Sequence, residues 1–137
     1  MIISDNDAAK RDLLAKARVI AVVGHSDKPD RDSYRIGQYL RQAGYTVYPV
    51  NPAVTEIDGR PSYPTLADVP EPIDIVNVFR RSEHLPEIVD AAVAVGAKAV
   101  WAQAGVTHDE AAQKAADAGL DVVMDTCIKV EYALLLA

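Results

Sequence analysis

The residues best equipped for chemistry stand in one stretch, Gly24-His25-Ser26-Asp27-Lys28-Pro29-Asp30-Arg31-Asp32-Ser33-Tyr34, directly after the apolar run Val19–Val23. A glycine at the end of such a run lets the chain turn tightly. A helix beginning just beyond it presents free N–H groups and the positive end of its dipole. Ser26, Lys28 and Arg31 add donors of the right sign, and His25 adds an imidazole. These types in this order suit an anion, a phosphate above all. Asp27, Asp30 and Asp32 favour a solvated loop instead, so the choice rests on where the fold puts the loop.

A dinucleotide would call for G-x-G-x-x-G and for an acid at the end of the second strand. In that frame the chain has Gly24, Ser26 and Pro29, and Val50-Asn51-Pro52 supplies no acid, which disfavours NAD. Cys127 invites a nucleophile reading, but a thiolate needs a base or cations beside it. Asp125 and Lys129 flank it, no histidine is close, and a small buried role is the expectation. His25, His84 and His108 are scattered without metal-ligand spacing. No nucleophile elbow accompanies a Ser/His/Asp set. Trp101 suits a core or an interface, and Gln103, an amide in an apolar stretch, must find partners. Asn51 before Pro52 suits a turn, Phe79 a strand end, and Arg80-Arg81 either a solvated face or a ligand contact.

Elements with two different periods must position these groups. Short apolar runs rich in β-branched residues lie at 19–23, 46–50, 73–79, 97–101 and 120–124, and suit strands buried on both faces. Between them, apolar residues recur at three- and four-residue spacing: Ile36, Tyr39, Leu40 and Ala43 before Gly44, Leu85, Ile88, Val89, Ala92 and Val93 before Gly96, and a third helix over 107–119. Ser82 is the expected cap of the middle helix. Helices over 7–17 and 128–136 bracket the unit. Residues 52–72, with five prolines and Asp58-Gly59, read as a crossover of loop and turns, with one helical turn near Leu66-Ala67-Asp68. The alternation predicts an α/β fold, a three-layer Rossmann-like open parallel sheet of five strands, order 3-2-1-4-5, with helices on both faces. Ligands then bind at the carboxyl ends of the strands at the topological switch, just after Val23 and just after Trp101. That position favours the anion reading of the loop.

Composition bounds the rest. A chain of 137 residues, 50% hydrophobic and 25% charged, is expected to form one domain over 1–137. One cysteine excludes an internal disulfide framework and suits a reducing, cytoplasmic setting. No apolar run reaches the ~20 residues of a membrane span, and the acidic start lacks the basic region of a signal peptide. A net charge of −6 argues against a nucleic-acid partner. The tail Tyr132-Ala133-Leu134-Leu135-Leu136-Ala137 is apolar nearly all round and must be covered. Its own sheet is the first choice and a homodimer seam the second.

Taken jointly and in order, several segments resemble the small stand-alone CoA-binding proteins, relatives of the CoA-binding domain of the succinyl-CoA synthetase α subunit and of acyl-CoA synthetases. They are Ala21-Val22-Val23-Gly24-His25-Ser26-Asp27-Lys28-Pro29, Tyr39-Leu40, Gly44-Tyr45, Tyr48-Pro49-Val50-Asn51-Pro52, Ile73-Asp74-Ile75-Val76-Asn77-Val78-Phe79-Arg80, Val100-Trp101-Ala102-Gln103-Ala104-Gly105-Val106 and Asp125-Thr126-Cys127-Ile128. The family usually has a small residue at the place of His25 and Arg at that of Thr126. The resemblance implies coenzyme A or acyl-CoA as ligand. It implies Ser26 and Lys28, with Arg31 a further candidate, for the diphosphate or 3′-phosphate beside Gly24; His25 is a candidate donor on its place in the loop, not on the resemblance. Val50, Asn51 and Pro52 would wall the adenosine, Phe79 and Arg80 would contact adenine and a phosphate, and Ala102, Gln103 and Gly105 would line the pantetheine channel. Ligation in the synthetase relatives needs further domains beyond the end of this chain, so a binding module without catalysis is expected. The alternatives are an NAD(P)- or acyl-CoA-handling enzyme using Cys127 or His25, and a regulatory interaction module with a vestigial site.

Overall fold

Strands that are apolar on both sides of the pleat are stable only between two helical layers. The computed structural model, which describes residues 1–137, has that arrangement. In chain order the elements are α1 (Asp7–Lys16), β1 (Val19–Val23), α2 (Asp32–Gln42), β2 (Thr46–Val50), β3 (Glu56–Ile57), β4 (Arg60–Pro61), β5 (Ile75–Val78), α3 (Leu85–Ala94), β6 (Ala99–Ala102), α4 (Asp109–Asp117), β7 (Asp121–Val123) and α5 (Ile128–Leu135). The main sheet has five parallel strands in the order β2-β1-β5-β6-β7. On one face α3 and α4 bury Leu85, Val89, Ala92, Ala111 and Ala115 against Ala21, Val76, Val100 and Val122. On the other, Leu14 of α1, Ile36 and Leu40 of α2 and Ile128 of α5 cover Ile20, Val22, Ile75 and Trp101.

The fold class is the expected one; the detailed strand order is not. Among the five long strands the third lies between the first and the fourth, giving 2-1-3-4-5 rather than 3-2-1-4-5. The crossover after β2 passes β1 and lands on its far side, a choice that no local pattern encodes. The switch therefore lies between β1 and β5, where α2 leaves to one face and α3 to the other, and the strand ends to consider follow Val23 and Val78.

Element ends follow local chemistry. The third strand begins at Ile75 rather than 73 because the Asp74 carboxylate accepts the N–H groups of Arg18 (2.8 Å) and Val19 (3.0 Å) just before the ladder. Asp58 (φ 52°) and Gly59 (φ 78°) make the tight β3–β4 turn inside the crossover. The expected helical turn is a 3-10 turn, Leu66–Asp68. Ser82 does not cap α3; it opens a 3-10 turn, and its Oγ accepts the Thr107 N–H at 3.0 Å. No helix is long and apolar enough to cross a membrane.

Candidate functional site

Gly24 ends β1 with a φ of 87°. A Cβ there would stand 3.2 Å from Arg80 Cδ and 3.4 Å from the Phe79 carbonyl, so the residue both turns the chain and lets the ends of β1 and β5 approach. The ladder runs one residue beyond the strands. Gly24 donates to the Val50 carbonyl (2.8 Å), Phe79 to Val23 (2.9 Å) and Gln103 to Val78 (3.1 Å). Four adjacent strand ends are thus locked level, and the loops above them start from a rigid base.

The loop after Gly24 is tied to the helix it feeds. Ser26 N–H donates to Ser33 Oγ at 2.9 Å, and Lys28 N–H donates to Ser26 Oγ at 3.0 Å. Arg31, the residue before α2, makes no side-chain cap. The first N–H groups of α2 therefore stay available at the positive end of its dipole. They open on a cleft of about 540 Å³ lined by Gly24, Ser26, Lys28, Asp30, Arg31, Asp32, Ser33 and Phe79. Lys28 and Arg31 are exposed and have no carboxylate partner, whereas Asp32 is held by Arg35 at 2.6 Å. The acidic residues of the loop are present, but one is already neutralised by a cation outside the cleft.

Across the Gly24–Phe79 contact, on the other side of the sheet, lies a second cleft of about 300 Å³. Val23, Val50, Pro52, Pro64, Leu66, Ile88 and Ala91 give it apolar walls, and Thr65, Arg80 and Glu87 complete it. Arg80 is half-buried, forms no ion pair, and stands between the two clefts.

The predicted residues divide accordingly. Gly24, Ser26, Lys28, Arg31 and Phe79 meet in the polar cleft, and Val50, Pro52 and Arg80 in the apolar one. His25 does not offer a donor to either. Its ring is fully buried, its Nδ1 lies 2.8 Å from the Ser26 carbonyl, and its Nε2 presses on Gly37 of α2 without a partner. Burial holds its pKa below the usual 6.5, outweighing the Ser26 carbonyl, so the imidazole is neutral and packs the loop onto the helix. Asn51 is a brace. Its Nδ2 donates to the His25 carbonyl (2.9 Å) and its Oδ1 accepts the Ala53 N–H (2.9 Å).

Ala102 and Gln103 also stand apart. Ala102 is wholly buried in the core, and Gln103 Oε1 receives the Ile128 N–H of α5 at 3.4 Å. Gly105 is a turn residue, φ 85°, whose N–H donates to Asp125 at 2.6 Å. No channel runs along these three. The strand order explains it: the end of the fourth strand is one place removed from the switch. Cys127 is half-buried at the start of α5 against the core and lines neither cleft. Sequence reasoning missed Ser33, Leu66 and Ile88. Ser33 was legible as a hydroxyl in the first turn of a helix, but Leu66 reaches the site only through the Tyr63–Val50 bridge.

A model of the CoA binding domain family matches residues 18–133. The Bacillus subtilis (strain 168) protein YneT is 43% identical over 124 residues, 90% of this chain and 92% of YneT. A hypothetical protein from Pyrococcus horikoshii OT3 of known structure superposes with a TM-score of 0.94 at 39% identity, over 100% of this chain and 97% of that one. The ADP-forming acetate–CoA ligase I of Archaeoglobus fulgidus is 34% identical over 73 residues, which are 53% of this chain and 11% of the ligase. The match spans both clefts and every strand that frames them, and the chain belongs to the CoA-binding domain family.

Proposed function

We propose that this protein binds coenzyme A or an acyl-CoA at the β1–β5 switch and does not itself catalyse acyl transfer. The observation that carries the reading is the pairing of two unlike clefts across one glycine contact. The α2 amides, Ser26, Lys28 and Arg31 take a phosphate group of the ligand. Val50, Pro52, Leu66 and Ile88 wall the adenosine, and Arg80 serves a phosphate between them. Free cations beside apolar walls fit a ligand that is polyanionic at one part and aromatic at another. The thiol of Cys127 lies outside both clefts, which supports binding rather than chemistry. An acidic chain with one unpaired cysteine suits the cytoplasm as its compartment.

Thermal shift with CoA, acetyl-CoA, dephospho-CoA and NAD tests this. A ligand at 100 times its Kd adds about 2.7 kcal/mol, or roughly 10 °C for a chain of this size. CoA and acetyl-CoA should stabilise more than dephospho-CoA, and Lys28→Gln should weaken CoA about tenfold. Greater stabilisation by NAD than by CoA would overturn the reading.

A further inference from the structure

The outer edge of the sheet carries a third cleft that the CoA reading leaves unused. It measures about 430 Å³ and lies beside β2, between the end of α2 and the β3–β4 hairpin, lined by Arg41, Tyr45, Thr46, Val47, Tyr48, Pro49, Arg60, Pro61 and Tyr63. Two guanidinium groups share it. Arg41 is half-buried and its single hydrogen bond is to the Val47 carbonyl, at 3.1 Å. Arg60 is exposed and has no hydrogen-bond or ion-pair partner. They are close enough that burial and then Arg60 hold the Arg41 pKa below its ordinary value, against the opposing effect of Asp58 and Tyr34. The nearest carboxylates are already engaged: Asp58 accepts from Tyr34 (2.5 Å) and Gln38 (2.8 Å), and Glu71 accepts from Tyr48. Asp58 acts on Arg41 only at longer range, so two adjacent arginines without a carboxylate within bonding distance leave net positive charge in this cleft, in a chain of net charge −6.

A third donor converges there. Thr46 N–H donates to Arg18 of the β1 side at 2.9 Å, so the next amide along β2, that of Val47, points to the open edge. The walls are aromatic: Tyr48 and Tyr63 pack edge to face at 5.8 Å, and Tyr45 closes the base with its hydroxyl on the Leu14 carbonyl. Burial pushes the Tyr45 phenol up to about 12, and the hydrogen bond to Glu71 does the same for Tyr48, so neither ring carries charge against an anion at neutral pH.

We propose that this cleft is a second binding site, independent of the CoA site, for a small planar organic anion. The carboxylate or phosphate group lies on Arg41, Arg60 and the Val47 amide, and the flat body lies against the tyrosine rings. Forked guanidinium donors match the oxygens of such a group. A partner strand pairing along β2 is disfavoured by the same residues: Arg41 occupies the Val47 carbonyl, Tyr63 N–H occupies that of Pro49, and Pro49 has no N–H to give.

Amide NMR of the full chain saturated with CoA, titrated with phenyl phosphate, reads the site directly. The expected result is saturable shifts at Val47, Tyr48 and Arg60. Affinity should fall about tenfold in Arg60→Gln, a substitution at an exposed residue that leaves the fold intact. Arg60→Lys, which keeps the charge and loses the fork, should fall between. Benzyl alcohol, the neutral counterpart, should not saturate. Shifts that stay linear with concentration, that match for benzyl alcohol, or that survive Arg60→Gln unchanged would overturn the proposal. Shifts confined to Gly24–Ser33 in the absence of CoA would also overturn it, by assigning the anion to the first site.

Discussion

Gly37 has the least freedom of any residue near the site. A Cβ there would lie 2.4 Å from His25 Nε2 and 2.9 Å from Cδ2. Two effects of Gly37→Ala oppose each other. Alanine in a helix interior gains about 0.5–1 kcal/mol over glycine. Overpacking a fixed side chain costs about 1–3 kcal/mol. The ring cannot swing aside, because Nδ1 is bound to Ser26 and the whole residue is buried, so the clash wins. Gly37→Ala should lower stability by about 1–2 kcal/mol, seen as a drop in the urea midpoint at unchanged slope. Adding His25→Ala should recover part of that loss, since two residues in contact are not additive. A Gly37→Ala protein as stable as the parent would show that the ring has room that the packing denies it.

At the scale of elements, α1 and α5 are joined by a nearly buried ion pair. Lys10 Nζ lies 2.8 Å from Glu131 and 3.3 Å from Asp7, with only 5% of its side chain exposed against 17% for Glu131. Burial works against its charge, but Glu131 and Asp7 outweigh it and hold the pKa above 10.5. Lys10→Met leaves Glu131 half-stranded, and the expected cost is about 1–3 kcal/mol, below that of a fully buried pair. Lys10→Met with Glu131→Leu should restore most of it in the same melt; failure to do so would mean that the ion pair itself, and not relief of a stranded charge, holds the helices together. This pair, a lysine in a polar stretch, could not be read from the sequence, whereas the apolar face of α5 could. That face packs on the chain's own core at Ile128, Tyr132, Leu135 and Leu136, while Val130 and Leu134 remain 53% and 74% exposed. The strands were legible for a simple reason: β1, β5 and β6 are buried along their whole length, and residues apolar on both sides of the pleat leave a continuous run, broken only in β5 by Asn77, whose Nδ2 donates to the Trp101 carbonyl. Their order was not, because the crossover after Pro52 is long enough to land on either side of β1. That single ambiguity moved the second strand end at the switch from Trp101 to Val78, whereas the expectation of a channel at Ala102, Gln103 and Gly105 rested on the family resemblance. Gly24, Lys28 and Arg31 were legible because a glycine, a helix start and cations fall within one loop. The hidden role of His25 was not, since it depends on a glycine twelve residues away lying beneath the ring.

For the whole molecule, stability should depend on pH in separate windows, each owned by a different group. The buried His25 has a folded pKa below 6.5, through burial first and with Arg41 adding to it. The unfolded chain takes up a proton below about pH 6.5 that the native ring refuses, so stability falls as pH drops from there toward the folded pKa and then levels. Asp74 acts lower. Burial raises its pKa, but the N–H groups of Val19 and Arg18, with Lys98, outweigh that and hold it below 3.8, so its contribution is present above 3.8 and lost as pH falls through the folded value. The raised pKa of Lys10 contributes stability that is present below 10.5 and lost above it. A broad maximum between neutral and mildly alkaline pH follows. Its acid limb should begin at the histidine rather than at the carboxylates. The groups whose charges face His25 are Arg41 and Asp58, and Tyr34 meets its ring edge to face at 6.1 Å. Replacing the imidazole by a neutral amide, His25→Asn, should flatten the limb that opens below about pH 6.5 while leaving the limb below 3.8 in place. Above its folded pKa the native ring stays neutral, and because the His25 carbonyl is held by Asn51 beside the loop that feeds Ser26 into the polar cleft, binding by the folded protein should hold there and weaken only at lower pH, where His25 itself protonates. An acid limb unchanged by His25→Asn would assign the titration to another group and leave the buried ring a purely steric part of the loop.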